Sequence, residues 1–516
     1  MTSSRPLSYG GYDTGATGRP DSIFKKAREA NLHVSAYCTT HWVCRYHGYG
    51  GDIDDEQLLF SLNTLPGTAL ALFRSTLALW HSGKISDAEV VATAERTIGV
   101  FFDNMIDYSQ ERIQRATSDD LNYKSERFVT DGYQYDKVIS LVHRHREEFH
   151  RDVLAYLKRH MYYVPKAHQW IGKEWRRLRS TNAIFRLSMN MLSERVGAFF
   201  GTSNHKFAQH RQKRYVDGAT VTQQIISSID KSDGNKPFFI WNHYQDTHIP
   251  YCAGTGLNWF QQTKDYLKVL GYGSEIDVSV AIGGKPETEE EWSAWSALYD
   301  ASVMYADEQI GRVVDALEAK GILDDTLIII CGDHGEELGD HSDISHHFRL
   351  YSHNVRIPLL FCHPSLSSGS NDTLVELTDI APTIAASLGL ELDPDWVGAP
   401  IWDDAVKDRK SVVIESFFGG NCTFETRPLY MSARDKKWNF MWKEFRDPED
   451  KLSPEGPQLY NHALDPLEQN NLYAEDHPEI PRLSMDIINR LRSISEISDE
   501  RIARAFPKLC KNKDTQ

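Results

Sequence analysis

The run Thr326-Leu-Ile-Ile-Ile-Cys-Gly-Asp-His-Gly-Glu-Glu-Leu-Gly-Asp340 constrains this chain more than any other stretch. Leu327 to Cys331 is apolar and rich in β-branched residues, which reads as a strand buried on both faces of a mostly parallel sheet. Gly332 ends the run, and Asp333 and His334 follow at once. In open α/β sheets, ligands bind beyond the carboxyl ends of the strands. A carboxylate and an imidazole placed there can offer an oxygen and a nitrogen to one cation. Gly332 and Gly335 let the backbone turn sharply around the pair. Taken alone, an Asp-His pair reads first as a polar turn capping a core strand.

The flanking segments shift that balance. Trp292, Trp295, Tyr299, Val303, Ala306, Ile310, Val313 and Leu317 recur at helical spacing before the strand, and Gly321 supplies a stop. After it come His346, Leu350-Tyr351 and a second apolar run, Val355-Arg-Ile-Pro-Leu-Leu-Phe361. This order resembles the sulfatase branch of the alkaline-phosphatase superfamily. There, a helix, a strand and Asp-His-Gly-Glu precede a His or Lys, a Leu-Tyr pair and a strand of the form Arg-Val-Pro-Leu. The resemblance implies metal ligation by Asp333 and His334, and contact of His346 with sulfuryl or phosphoryl oxygens.

At 516 residues the chain exceeds one ordinary core, so two domains or a large insertion are expected. Its net charge of -16 argues against non-specific nucleic-acid binding but not against an anionic substrate, because a bound cation makes a site locally positive. No apolar run reaches the roughly 18 residues of a membrane span, and no signal peptide is evident. The seven cysteines are odd in number, and no pair of them has zinc-site spacing. A reduced, cytoplasmic protein is the plainer reading. Cys331 and Cys362, set in apolar strands, read as core residues.

Along the chain, Thr2, Pro6 and Gly10 match a family segment that lies just downstream of the nucleophile. A helix from Pro20 to Ala30 and a strand from Leu32 to Tyr37 lead to Cys38-Thr-Thr-His41. In sulfatases a similar turn carries a Lys and a His that contact the sulfate. His41 falls on the His position and Thr39 replaces the Lys, so His41 is either a substrate contact or a loop histidine. Residues from about 55 to 212 form a helical insertion, in which His143, Arg144, His145 and Arg146 read as a solvated face. Trp170, Trp175, Arg176, Arg177 and Arg179 serve either a substrate or a lid packed on the core. A helix from Ala219 to Ile229 and a strand from Phe238 to His243 lead to Asp246-Thr-His-Ile-Pro-Tyr251. In the family, the His of such a His-x-Pro turn lies near the leaving-group oxygen, which implicates His248. Ile380-Ala-Pro-Thr resembles the family's Asp-x-x-Pro-Thr helix, and Leu459-Tyr460 with Asp465-Pro466-Leu467-Glu468 resembles its Leu-Tyr…Asp-Pro-x-Glu turn.

The resemblance implies an α/β fold: an alkaline-phosphatase-like sulfatase sandwich with a central mixed, mostly parallel sheet. Residues 1–395 would form the core, interrupted by the insertion, and 396–516 a small C-terminal α+β subdomain. Ester cleavage needs an in-line nucleophile, positive charge on the non-bridging oxygens and a proton for the leaving alkoxide. His248 suits the general acid and His346 the oxygen clamp, both being substrate-binding and catalytic candidates. The implied cofactor is one divalent metal ion, calcium first, with manganese or zinc as alternatives. The implied substrate is a small-molecule or saccharide sulfate or phosphate ester; an oligomer is left open. Phosphodiester or phosphonate monoester hydrolysis and non-catalytic anion binding are the competing readings. Counted on the family pattern, the nucleophile falls before Met1, and a formylglycine at that position would lie outside this chain. The first strand, with its paired Asp ligands, would lie further upstream.

Overall fold

The computed structural model describes residues 1–9, 18–65, 73, 76–77, 79–117, 132–161, 170–179, 216–232, 234–249, 251, 285–346, 349–417, 429–443, 456–494 and 497–505. The chain divides into two compact units, Asn31–Leu323 and a second made of Met1–Ala30 with Asp324–Gln516.

In the first unit three parallel strands lie in the order β2-β1-β3: β1 is His33–Cys38, β2 is Asp55–Leu58 and β3 is Phe238–Asn242. The central strand is the most buried, with Val34, Ala36 and Cys38 at 0% exposure. β2 is a departure from the expected pattern. Its sequence, Asp-Glu-Gln-Leu, has no strand periodicity, and it was assigned to the start of the helical insertion. Pairing of Ser35 with Asp55 and of Cys38 with Leu58 makes it a strand, because β structure depends on neighbours more than on intrinsic preference.

The helix before β3 spans Gly218–Lys231, and the Asp217 side chain caps it by accepting from the Thr220 amide. It packs against the long helix Glu289–Ala319, which a Thr288/Glu291 capping box opens. Gly321, at φ +73, closes that helix, with the Ile322 amide reaching back to the Leu317 carbonyl. The buried stripe runs through Trp295, Leu298, Ala301, Tyr305 and Gln309. It is rotated from the expected one, and Val303 is 43% exposed.

The described part of the insertion is helical: Asp87–Ala94, Val100–Thr117, Tyr135–Arg151 and Val153–His160. Phe101, Phe102, Phe149, Tyr156, Trp170 and Trp175 fill its core. The two tryptophans are therefore packing residues. His145 is also buried, contrary to the solvated face expected of it. It bonds Tyr156 Oη through Nδ1 at 2.8 Å and Glu174 through Nε2 at 3.1 Å. Polarity alone could not show that a histidine at the edge of the apolar stripe turns inward.

The second unit contains β4, Ile328–Cys331, the short pair β5, Glu337–Leu338, and β6, Ile344–Ser345, then β7, Leu359–Cys362. A four-stranded antiparallel sheet follows: β8 (Val412–Phe417), β9 (Leu429–Arg434), β10 (Trp438–Lys443) and β11 (Gln458–Asn461). Ile480, Leu483, Ile487 and Leu491, from the helix Ile480–Arg492, share a core with Met431, Phe440 and Leu459 of this sheet.

β4 departs from expectation. It pairs antiparallel with β7, Ile328 opposite Cys362, and its isoleucines are half-buried. Cys331 and Cys362 are exposed, not core residues, and Leu360 is 48% exposed. Among the described residues, β3 and β4 each have only one strand neighbour.

Candidate functional site

The turn after β4 is held by backbone bonds to the segment before β7. Gly332 N–H donates to Pro358 O, Gly335 N–H to Asn354 O and Glu336 N–H to His353 O, at 3.1, 2.8 and 3.1 Å. A Cβ on Gly335 would stand 1.8 Å from the His353 carbonyl oxygen. The glycine is thus required by close backbone approach and not by a left-handed φ. Gly335→Ala is expected to destabilise the second unit by roughly 3 kcal/mol and to loosen this turn. Urea unfolding checks it, and an unchanged midpoint would contradict the close approach.

Within this turn the Asp333 carboxylate accepts from the His334 amide at 3.0 Å. His334 Nδ1–H donates to the Gly335 carbonyl at 2.8 Å, which places the ring's lone pair on Nε2, 3.6 Å from the second Asp333 oxygen. The His346 ring stacks on the His334 ring, with centroids 4.1 Å apart, and its Nδ1 meets Glu336 Oε2 at 3.2 Å. Donor atoms of His334, Glu336 and His346 all lie within 4.8 Å of one another. The structure thus brings three of the family-matched motif positions to one place. It also adds Glu336, to which the sequence reading gave no role although it stands in the quoted motif. The donor set is mixed nitrogen and oxygen, which fits a divalent metal ion.

Buried carboxylates fix the walls of the turn. Glu337, at 0% exposure, pairs with Arg349 at 3.2 Å, and His341 stacks on Tyr351 at 3.6 Å. Glu468 accepts from the Ser352 amide at 2.7 Å, from Asn439 Nδ2 at 2.9 Å and from Arg434 at 3.2 Å. This is the physical work of the Asp-Pro-x-Glu turn: its carboxylate anchors the segment just after Leu350-Tyr351. Asp379 does the same for its helix, accepting two bonds from Arg409 at 2.6 and 2.9 Å. Near the start of the chain, the Ser3 hydroxyl donates to Thr378 O and accepts from Gly398 N–H. Arg5 clasps Glu376 with bonds of 2.7 and 2.9 Å.

The remaining candidates lie in the other unit. His248 follows β3 in a turn anchored by buried Asp246, which accepts from the Gly218 amide at 3.1 Å. Its Nδ1–H donates to Ile249 O at 2.6 Å. Thr39, standing where the family has Lys, donates its hydroxyl to His243 O and so ties the end of β1 to the residue just after β3. His41 has both ring nitrogens closed off from solvent. Burial, with His47 beside it, lowers its pKa to about 3.

The profile of one protein family, described as Sulfatase, matches residues 124–390, more than half of the 516. The chain belongs to the sulfatase family. Its fold is accordingly the α/β fold of the alkaline-phosphatase-like sulfatases. It is similar to a choline-sulfatase of Rhizobium meliloti, 27% identical over 283 residues, which are 52% of each protein. It is also similar to an arylsulfatase of Clostridium perfringens, 29% identical over 279 residues, 50% of this chain and 54% of that one. The chain thus spans about half the length of the curated relatives it matches. Among solved structures, a phosphonate monoester hydrolase of Agrobacterium radiobacter aligns at a TM-score of 0.39 and 20% identity, over 54% of this chain and 60% of that one. Among the described residues, no helix is long and apolar enough to cross a membrane.

Proposed function

We propose that this chain serves a metal-dependent hydrolysis of sulfate esters. The observation that carries the reading is the His334–Glu336–His346 cluster, which follows β4 in a chain of the sulfatase family. In this reading Asp333 Oδ and His334 Nε2 hold one divalent cation, which when bound lowers a nucleophile's pKa and clamps a non-bridging oxygen. Glu336 orients His346 by holding its Nδ1, so that Nε2 can meet an ester oxygen. His248 is assigned as general acid on its His-x-Pro turn alone, imidazole being suited to proton transfer near neutral pH. His41 is left out, because its nitrogens are sealed. Calcium heads the family expectation, but an imidazole donor beside the carboxylate suits manganese or zinc better.

The Ser3 hydroxyl is committed to backbone contacts with Thr378 and Gly398. The test is turnover of aryl sulfate, bis-aryl phosphate and aryl phosphonate with and without added divalent metal. Metal-dependent preference for aryl sulfate supports the reading. Preference for the phosphonate or diester moves the assignment to that reaction class. Turnover unchanged by removal of metal refutes the metal-dependent reading.

A further inference from the structure

The end of β1 runs Cys38-Thr-Thr-His41-Trp-Val-Cys44-Arg-Tyr-His47, four donors at a constant spacing of three. Reading the cysteines without the histidines hides this pattern. Cys38 is the last residue of β1, Cys44 caps the 3₁₀ turn Arg45–His47, and His47 ends that turn. At three residues per turn, residues 44 and 47 come to the same edge. Cys38 and Cys44 are 0% exposed and His47 is 5% exposed. The His41 and His47 rings lie 5.4 Å apart, and Cys44 Sγ–H donates to the His41 carbonyl at 3.1 Å. None of the four ring nitrogens is open to solvent or has a hydrogen-bond partner of good geometry. A buried polar group left this way costs about 1–3 kcal/mol, and a bound cation would take up the one lone pair that each neutral ring offers.

We propose that His41, Cys44 and His47, with Cys38 as fourth ligand, form a second metal site, for a borderline-soft divalent cation of the zinc class. Thiolate and imidazole donors select such a cation over calcium or magnesium. Two thiolates cancel its charge, as a buried site requires. Burial already keeps both rings neutral: it lowers the His47 pKa to about 4 against a small upward pull from the His41 backbone. The nearby Arg45 charge is met by Glu56, Asp107 and Glu111. The only described cluster with three donor atoms within 4.8 Å of one another is the one at His334; the donors of this second site stand further apart, and binding requires their side chains to rotate. Its role is to pin the turn after β1, separately from any hydrolytic site.

The full chain carrying Asp333→Asn and His334→Ala, which removes the first site, is stripped of metal and titrated with Zn²⁺ and with Co²⁺ as a spectroscopic probe. The site predicts about one tightly held zinc per chain and a thiolate-to-cobalt charge-transfer band. Adding Cys44→Ser or His47→Gln should remove both. Absence of tight zinc, a cobalt spectrum without the thiolate band, or a Cys38–Cys44 disulfide found by thiol counting would overturn the proposal. If either added variant fails to fold, the cobalt spectrum of the parent double variant decides.

Discussion

Replacing Asp333 by Asn and His334 by Ala together is expected to lower affinity for Mn²⁺ or Ca²⁺ more than about 100-fold. Loss of a group that only orients a metal ligand costs about 10–100-fold, and this change removes a carboxylate charge and an imidazole that would contact the ion directly. Stability should move little, because the two side chains are 58% and 39% exposed and exposed substitutions stay within about 0.5 kcal/mol. The contacts that hold the turn are backbone bonds from Gly332, Gly335 and Glu336, which the substitutions leave in place. Calorimetric titration with manganese and calcium, beside circular dichroism, measures both quantities. Hard cations are the right probes, since the Cys and His cluster after β1 would not retain them. Unchanged binding in a folded double variant would remove these residues from the metal site.

Where the sequence was legible, it was through patterns that physics ties to local geometry. Gly321 ended a helix because a left-handed residue is needed there, and the apolar run before Gly332 formed a strand with a turn at its end. β2 was not legible. Asp55 to Leu58 has no alternation, and its strand character comes from pairing with β1. A run of isoleucines likewise cannot say which strand will lie beside it, so β4 was expected in a parallel sheet and is antiparallel to β7. Burial of polar groups was the commonest omission. Glu337, Asp379 and Glu468 are each 0–1% exposed, yet a carboxylate in sequence carries no sign that arginine or backbone donors await it. Glu336 was passed over for the same reason. Its part in the candidate site emerges only when the turn brings it to His346.

Acid should destabilise this protein steeply, and His41 and His47 set the sign. Burial holds their pKa values at about 3 and about 4 in the folded chain, below the ordinary value of 6.5. The unfolded chain therefore takes up two protons near pH 6.5 that the folded chain refuses. Stability is fully present above that pH and is lost as pH falls toward the folded values. Each refused proton contributes about 1.4 kcal/mol per pH unit, so the pair contributes roughly 3 kcal/mol per unit. That is large against a typical total of about 5–15 kcal/mol. His145 and His462 are also held below the ordinary value, burial being the leading cause, and act in the same direction. Urea midpoints at about pH 7.5, about pH 6 and about pH 5 measure the slope. In His41→Gln/His47→Gln neither replacement can be protonated, so the decline with pH should flatten without vanishing. The comparison is run with a chelator present, because a cation on these nitrogens would add its own loss on acidification. Parallel slopes for the parent and the double variant would mean that these two rings are not sealed from protons in solution.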